Sequence, residues 1–414
     1  MIVKRNRCSV PAVILILVLV VAARPLLLSA EELTPVEQLG KSLFFDASLS
    51  SPEGQSCATC HAPAVGFTGP DEAVNKEGGV YRGAVNERFG NRKPPAASYC
   101  GDSPLLHTEK DDGESFWVGG MFWDGRATGK KLNDPLAEQA QGPFLNPLEH
   151  NLKNAEEVCG KVKSSSYARL FEEVWGKGSL DCAKNIAGTY DRIAKAISAY
   201  EKSKEVNPFT SKYDAWLAGK ASLTEKEQAG IGLFVGKGKC ANCHVIAKRA
   251  GGGHPLFTDF TYDNLGIPGN PANPFYTMPK EWNPQGKNWT DNGLGGFLKD
   301  AGYKRGQYEP EMGKFKVPTL RNVDKRPNPG FVKAYGHNGY FKSLKEIVHF
   351  YNTRDVLPRC EKAPDPKPGV NCWPRPEVAK NLNREEMGNL GLSPEEEDAI
   401  VVFMQSLSDG YAPR

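Results

Sequence analysis

Apolar residues recur at three- and four-residue spacing in five stretches of this chain, and three of them begin with a recognisable helix start. Leu39, Leu43 and Phe44 follow Thr34-Pro35-Val36-Glu37, where Thr stands at N-cap, Pro at N1 and Glu at N3. Ile231, Leu233 and Phe234 follow Thr224-Glu225-Lys226-Glu227, a capping box of the same kind. Asp191–Lys202 is amphipathic, Ser343–Tyr351 is helical by spacing, and Ser393-Pro394-Glu395-Glu396 opens a last helix through Met404 and Leu407. Alternation of period two is weak throughout. Residues 62–115 and 250–310, rich in Gly, Pro, Asn and Asp, predict irregular loop, and Asn207–Ser222 a connector carrying Tyr213 and Trp216. The fold class is mainly α, with long irregular loops.

A different pattern opens the chain. Lys4, Arg5 and Arg7 precede the unbroken apolar run Val10–Ala23, and Leu28-Ser29-Ala30 offers small residues for cleavage. Residues 1–30 therefore predict an export signal. As a membrane anchor the run is short, and Arg24 and Pro25 break it. Without that segment the formal charge moves from +3 to −1, because it holds four basic residues and no acidic one. Nothing in this balance argues for nucleic acid, and membrane association is limited to the export signal. Export also permits disulfides among the 10 cysteines. By proximity Cys159 could pair with Cys182 and Cys360 with Cys372, leaving Cys100 over.

Both capped helices lead into the same string: Cys57-Ala58-Thr59-Cys60-His61 after the first and Cys240-Ala241-Asn242-Cys243-His244 after the second. C-x-x-C-H is the attachment signal of c-type haem: two thiols add to the vinyl groups and the histidine binds iron. One copy alone would leave a zinc or redox CxxC open. Two copies in an exported chain predict two covalently bound haems. Helix plus haem string occurring twice is an internal duplication. It divides the chain into a signal peptide (1–30), an N-terminal cytochrome c-like domain (31–205) and a C-terminal one (206–414).

Around these strings the chain resembles the bacterial dihaem cytochrome c peroxidase / MauG family. The resemblance rests on Leu39-Gly40-Lys41-Ser42-Leu43-Phe44-Phe45-Asp46, Phe122-Trp123-Asp124-Gly125-Arg126-Ala127, Glu138-Gln139-Ala140 with Gly142-Pro143, and Asn146-Pro147-Leu148-Glu149. In the second half it rests on Phe315-Lys316-Val317-Pro318-Thr319-Leu320-Arg321-Asn322 and His337-Asn338-Gly339.

The resemblance implies that the His61 haem reacts with hydrogen peroxide. The family's peroxidases carry a removable distal histidine soon after this string, whereas here residues 62–106 contain none and His107 reads as a loop residue. An open iron site follows, as in the MauG branch. Over it the family places a glutamine and a glutamate, matching Gln139 and Glu149. A buried carboxyl can move a proton between peroxide oxygens, and an amide can donate a hydrogen bond to the oxygen left on iron. His150 stands where the family usually has Met.

For the second haem the family's sixth ligand aligns with Tyr351, with His349, Met312 and Met278 as competing residues. A phenolate favours higher oxidation states than a thioether does. Trp123 aligns between the haems as a redox stepping stone, and Arg126 with a propionate partner. Arg321 and His337 align near a haem or at the domain junction. The family also places calcium between its domains. Its Asn aligns with Lys93, whose ammonium would fill the space of the cation; a one-residue slip brings Asn91 closer, and calcium is left open.

The implied function is a periplasmic, MauG-like oxidase. It would use peroxide to form high-valent iron and oxidise an external donor, such as a residue of a partner protein. The alternatives are a cytochrome c peroxidase fed by a small cytochrome or cupredoxin, and an electron-transfer cytochrome without catalysis.

Overall fold

Helix α1 (Pro35–Phe45) begins as its capping residues predict, with the Glu37 carboxylate accepting the Thr34 backbone N–H at 2.7 Å. The structure, a computed structural model, describes residues 32–412; the export signal lies outside them. Leu39, Gly40, Leu43 and Phe44 form the buried face of α1, which packs across α5 (Ile186–Lys202). A Cβ on Gly40 would overlap the Ala196 carbonyl, so only glycine permits this approach.

The arrangement recurs in the second half. In α7 (Glu225–Val235) Thr224 Oγ1 accepts the Glu227 N–H at 3.2 Å while Glu227 accepts the Thr224 N–H at 2.7 Å. Gly230 then lies against the Ala399 carbonyl of α9 (Pro394–Gln405). The duplicated sequence is thus a duplicated helix crossing.

Each crossing anchors a core. The first gathers Leu39, Phe44, Phe144, Phe171, Ile193, Ile197 and Tyr200; the second gathers Tyr213, Phe234, Phe257, Phe341, Phe350, Trp373 and Phe403. Each such side chain, fully buried, stabilises the fold by about 1.5–3 kcal/mol before conformational entropy is counted. Helices α2 (Pro135–Leu145), α3 (Ala155–Lys163) and α4 (Ala168–Trp175) complete the first half and are additional to those the periodicity predicts. The expected connector instead holds α6 (Lys212–Leu217), whose Tyr213 enters the second core. Helix α8 (Leu344–Thr353) lies where the spacing places it. Both disulfides, Cys159–Cys182 and Cys360–Cys372, are formed.

The loop expectation fails locally at 107–118. There β1 (His107–Asp111) and β2 (Glu114–Val118) pair antiparallel across Asp112-Gly113, whose positive φ angles of 45° and 86° make a tight hairpin turn. His107 sits exposed on this hairpin, 2.9 Å from Glu109.

The long loops interlock the two halves. Lys333 Nζ donates to the Val65 carbonyl at 2.9 Å, Asn270 Nδ2 to Gly78 at 3.0 Å, and the Tyr99 hydroxyl to Asp409 at 2.7 Å. Residues 33–412 consequently form one compact unit that holds both cores together.

Candidate haem cavities

Each C-x-x-C-H string lines a cavity of its own. Cys57–Cys60 is one short helical turn that delivers His61 to the first cavity, and Cys240–Asn242 is the corresponding turn before Cys243 and His244 in the second. His61 Nδ1 lies 3.2 Å from the Phe67 carbonyl, and His244 Nδ1 lies 2.9 Å from that of Phe257. A carbonyl only accepts, so each Nδ1 carries the proton and each Nε2 keeps a lone pair, the arrangement a metal-binding imidazole needs. Burial lowers both imidazoles to about 4, which keeps them neutral at working pH. The four string cysteines are free thiols, while four others form disulfides. In the second cavity the buried atoms Arg321 Nη2 and His337 Nε2 have no hydrogen-bond partner among the described residues. Paired thiols and lone-pair imidazoles fit a covalently held haem in each cavity, and the unpartnered Arg321 Nη2 donor fits a propionate acceptor in the second.

The first cavity brings together His61, Gln139, Glu149, Arg126 and Trp123. Gln139 lies on α2, whose start is fixed by Asp134 accepting the Leu136 and Ala137 N–H groups at 3.0 and 3.3 Å. The helix stops at Asn146-Pro147, and Asn146 Nδ2 donates to Glu149 Oε1 at 3.0 Å, holding the carboxyl on the loop that follows. Burial raises the Glu149 carboxyl above its usual range, opposed by Arg126 and by the Asn146 bond. His150 is buried and also lines this cavity. Arg126 is paired with Asp124 at 3.0 Å and lies over the Phe122 ring, 3.6 Å from its centroid.

One wall is shared. Trp123 and Lys93 line both cavities. The Trp123 indole N–H donates to the Lys93 backbone carbonyl at 2.8 Å, while Lys93 Nζ donates to Thr68 Oγ1 and the Pro94 carbonyl, each at 2.9 Å. Lys93 has no carboxylate partner among the described residues, and burial lowers its ammonium to about 8. Beside it Arg92 binds Asp124 and Asp291, each at 2.6 Å, joining the two cavity walls.

The second cavity holds His244 and Tyr351, with Met387 and Met404 also in its wall. The residues competing with Tyr351 in sequence lie elsewhere: His349 Nδ1 is 2.9 Å from Glu397 Oε1, and neither Met312 nor Met278 lines the cavity. The Tyr351 hydroxyl makes no protein hydrogen bond among the described residues. Burial and the nearby Cys243 thiol hold this phenol well above its ordinary value, so it ionises only against a cation.

Several polar residues of these walls were given no role from the sequence. Glu201 on α5 is buried in the first cavity with Oε2 unpartnered, and burial raises it to about 8. Lys316 and Lys333, in the second cavity, are each lowered to about 7 by burial. Each occupies a polar position that only the folded chain encloses.

Against known proteins, residues 35–222 match the family model described as di-haem cytochrome c peroxidase. The methylamine utilization protein MauG of Paracoccus denitrificans is 34% identical over 98% of this chain and 95% of its own. The chain belongs to this dihaem peroxidase family. Another relative is the cytochrome c551 peroxidase of Nitrosomonas europaea, 29% identical over 78% of this chain and 75% of its own. The crystal structure of the diheme peroxidase BthA from Burkholderia thailandensis superposes with a TM-score of 0.74, at 28% identity, over 91% of this chain and 87% of that one. As a family member the chain is a peroxide-dependent dihaem oxidoreductase with a mainly helical fold.

Proposed function

We propose that this enzyme is a MauG-like oxidase that passes the oxidising power of hydrogen peroxide to an external donor, such as a residue on a partner protein. The carrying observation is the tyrosine in the second cavity: Tyr351 and His244 line it together, and the tyrosine hydroxyl has no protein partner among the described residues. When bound, the two covalently attached haems supply the redox-active iron. The chain's own residues divide the remaining work. His61 and His244 present Nε2 to the metal, and Tyr351 offers an oxygen whose anionic form suits the more oxidised metal. Gln139 offers amide donors to bound peroxide. Glu149, whose acid form burial favours, can hold a proton for the departing oxygen. Trp123 bridges the two cavities as the oxidisable group in their common wall. Lys93 places a fixed ammonium in that wall, where the sequence left calcium open. Arg126 reaches the first cavity from its pair with Asp124 and is assigned to a propionate there.

One observation favours the second reading, a cytochrome c peroxidase supplied by a small redox protein. Met387 is buried in the second cavity and offers a thioether there. The leading signal sequence assigns the enzyme to the periplasm; among the described residues no helix is long and apolar enough to cross a membrane.

Absorption and electron paramagnetic resonance spectra of the ferric holoprotein, with and without peroxide, test the assignment. The MauG-like reading expects one high-spin haem and a His/Tyr low-spin signature that Tyr351→Phe abolishes and Met387→Leu leaves intact. The reverse dependence, with turnover on reduced cytochrome c, would establish the peroxidase. Two low-spin haems inert to peroxide would overturn both readings.

A further inference from the structure

His150 completes the first cavity in a way neither its neighbours nor the sequence motif requires. It follows Glu149 directly, is 4% exposed, and lines the same cavity. Its Nδ1 lies 2.7 Å from the Leu49 carbonyl, and its ring packs edge-on against Phe144 at 5.3 Å. The carbonyl can only accept, so the proton sits on Nδ1 and Nε2 carries a lone pair. Among the described residues no group donates to that lone pair. The ring is thus fixed in one tautomer by the backbone and presents an unused base in the cavity that holds Glu149.

We propose that His150 is the base that takes a proton from hydrogen peroxide entering the first cavity. The inference rests on the reading of that cavity as the peroxide site. In the step, the O–H bond of one peroxide oxygen breaks and an N–H bond forms at Nε2. Hydroperoxide and an imidazolium result, with no electron transferred. The pair is complementary. Burial lowers His150, which favours the neutral ring that can accept, while burial raises Glu149, which favours the carboxylic acid that can donate. Neighbouring groups whose environments push them apart in this way divide naturally into base and acid. Glu149 can then supply the proton that the second oxygen needs, and the imidazolium can return one to the carboxylate.

Cyanide tests the base without turnover. Hydrogen cyanide must lose a proton to bind ferric haem, whereas carbon monoxide binds ferrous haem without losing one. The variants are His150→Gln, which keeps an amide donor for the Leu49 carbonyl, and His150→Met. In both holoproteins cyanide association and the rate of reaction with peroxide should fall by roughly 10²-fold or more, with carbon monoxide association unchanged. A parallel loss of cyanide and carbon monoxide binding would show a packing role and overturn the proposal. So would cyanide and peroxide rates within about twofold of wild type in both variants, well short of the contribution of a general base. A low-spin first haem that becomes high-spin in His150→Met would make His150 an iron ligand instead. The cyanide comparison holds even for a wild-type protein inert to peroxide, so the base assignment and the peroxide reading fail separately.

Discussion

Replacing Glu201 by glutamine should remove a pH-dependent penalty that this protein carries across the neutral range. The carboxyl sits on α5 in the wall of the first cavity, with Asp134 adding to the effect of burial and Lys202 opposing it. Its value in the fold is about 8, against 4.5 for the free group. Below the lower value both folded and unfolded chains are protonated and the group costs nothing. Between the two values the unfolded chain ionises while the folded chain does not, so stability falls as pH rises. At about 1.4 kcal/mol per unit, the difference reaches roughly 3 kcal/mol near pH 7 and saturates at roughly 5 kcal/mol above pH 8. Glutamine keeps the shape and does not titrate. Unfolding of wild-type and Glu201→Gln holoproteins, followed by denaturant from about pH 4.5 to about pH 9, should therefore diverge steadily, the variant gaining as pH rises. Of the remaining groups near Glu201, burial pushes Tyr200 and Cys100 above this window, and Cys57 does not titrate once its sulfur is bonded to haem. Parallel stability profiles for the two proteins would refute the assignment of a buried, protonated carboxyl.

Two further substitutions probe the site and the fold. Glu149→Gln should slow peroxide turnover by about 10²–10⁴-fold; the wild-type rate should also decline as pH rises through the elevated Glu149 value, a limb absent from the variant in a stopped-flow pH series. Gly230→Ala should destabilise the holoprotein by about 1–3 kcal/mol in a denaturant titration, because its methyl meets the Ala399 carbonyl, whereas Gly232→Ala, with nothing close to its Cβ, should not.

The features readable in advance were those written in consecutive residues. Thr34-Pro35-Val36-Glu37 and Thr224-Glu225-Lys226-Glu227 carry their own helix starts, and each C-x-x-C-H string brings thiols and imidazole to one place by local geometry alone. Family resemblance pointed to Tyr351, and helix spacing set its competitor His349, two residues away, on another face. The hairpin at 107–118 escaped because only its Asp112-Gly113 turn is distinctive, while β1 is polar and exposed along its length. Glu201 was harder still, and Lys93 and Arg321 were marked only by family resemblance. A charged residue on a helix or loop reads as solvated until distant segments close over it, and each of these is sealed by chain far away in sequence. Arg321, for example, is bound by Asp214 at 2.6 Å and by the Pro255 carbonyl at 2.8 Å. Family resemblance supplied Trp123, whose place in the common wall no local pattern expresses.

That wall has a directional consequence. Lys93 meets Trp123 through its backbone carbonyl, which receives the indole N–H, while its side chain places an ammonium in the same wall, against Thr68 and the Pro94 carbonyl. In the relay proposed above, an electron removed from the indole would leave positive charge in a wall that already holds an ammonium, in a setting where burial screens poorly. Under that proposal the ring would be a poor resting place for a hole and a serviceable crossing for one. Because the hydrogen bond belongs to the backbone and the charge to the side chain, Lys93→Met would change the height of that crossing without moving the ring.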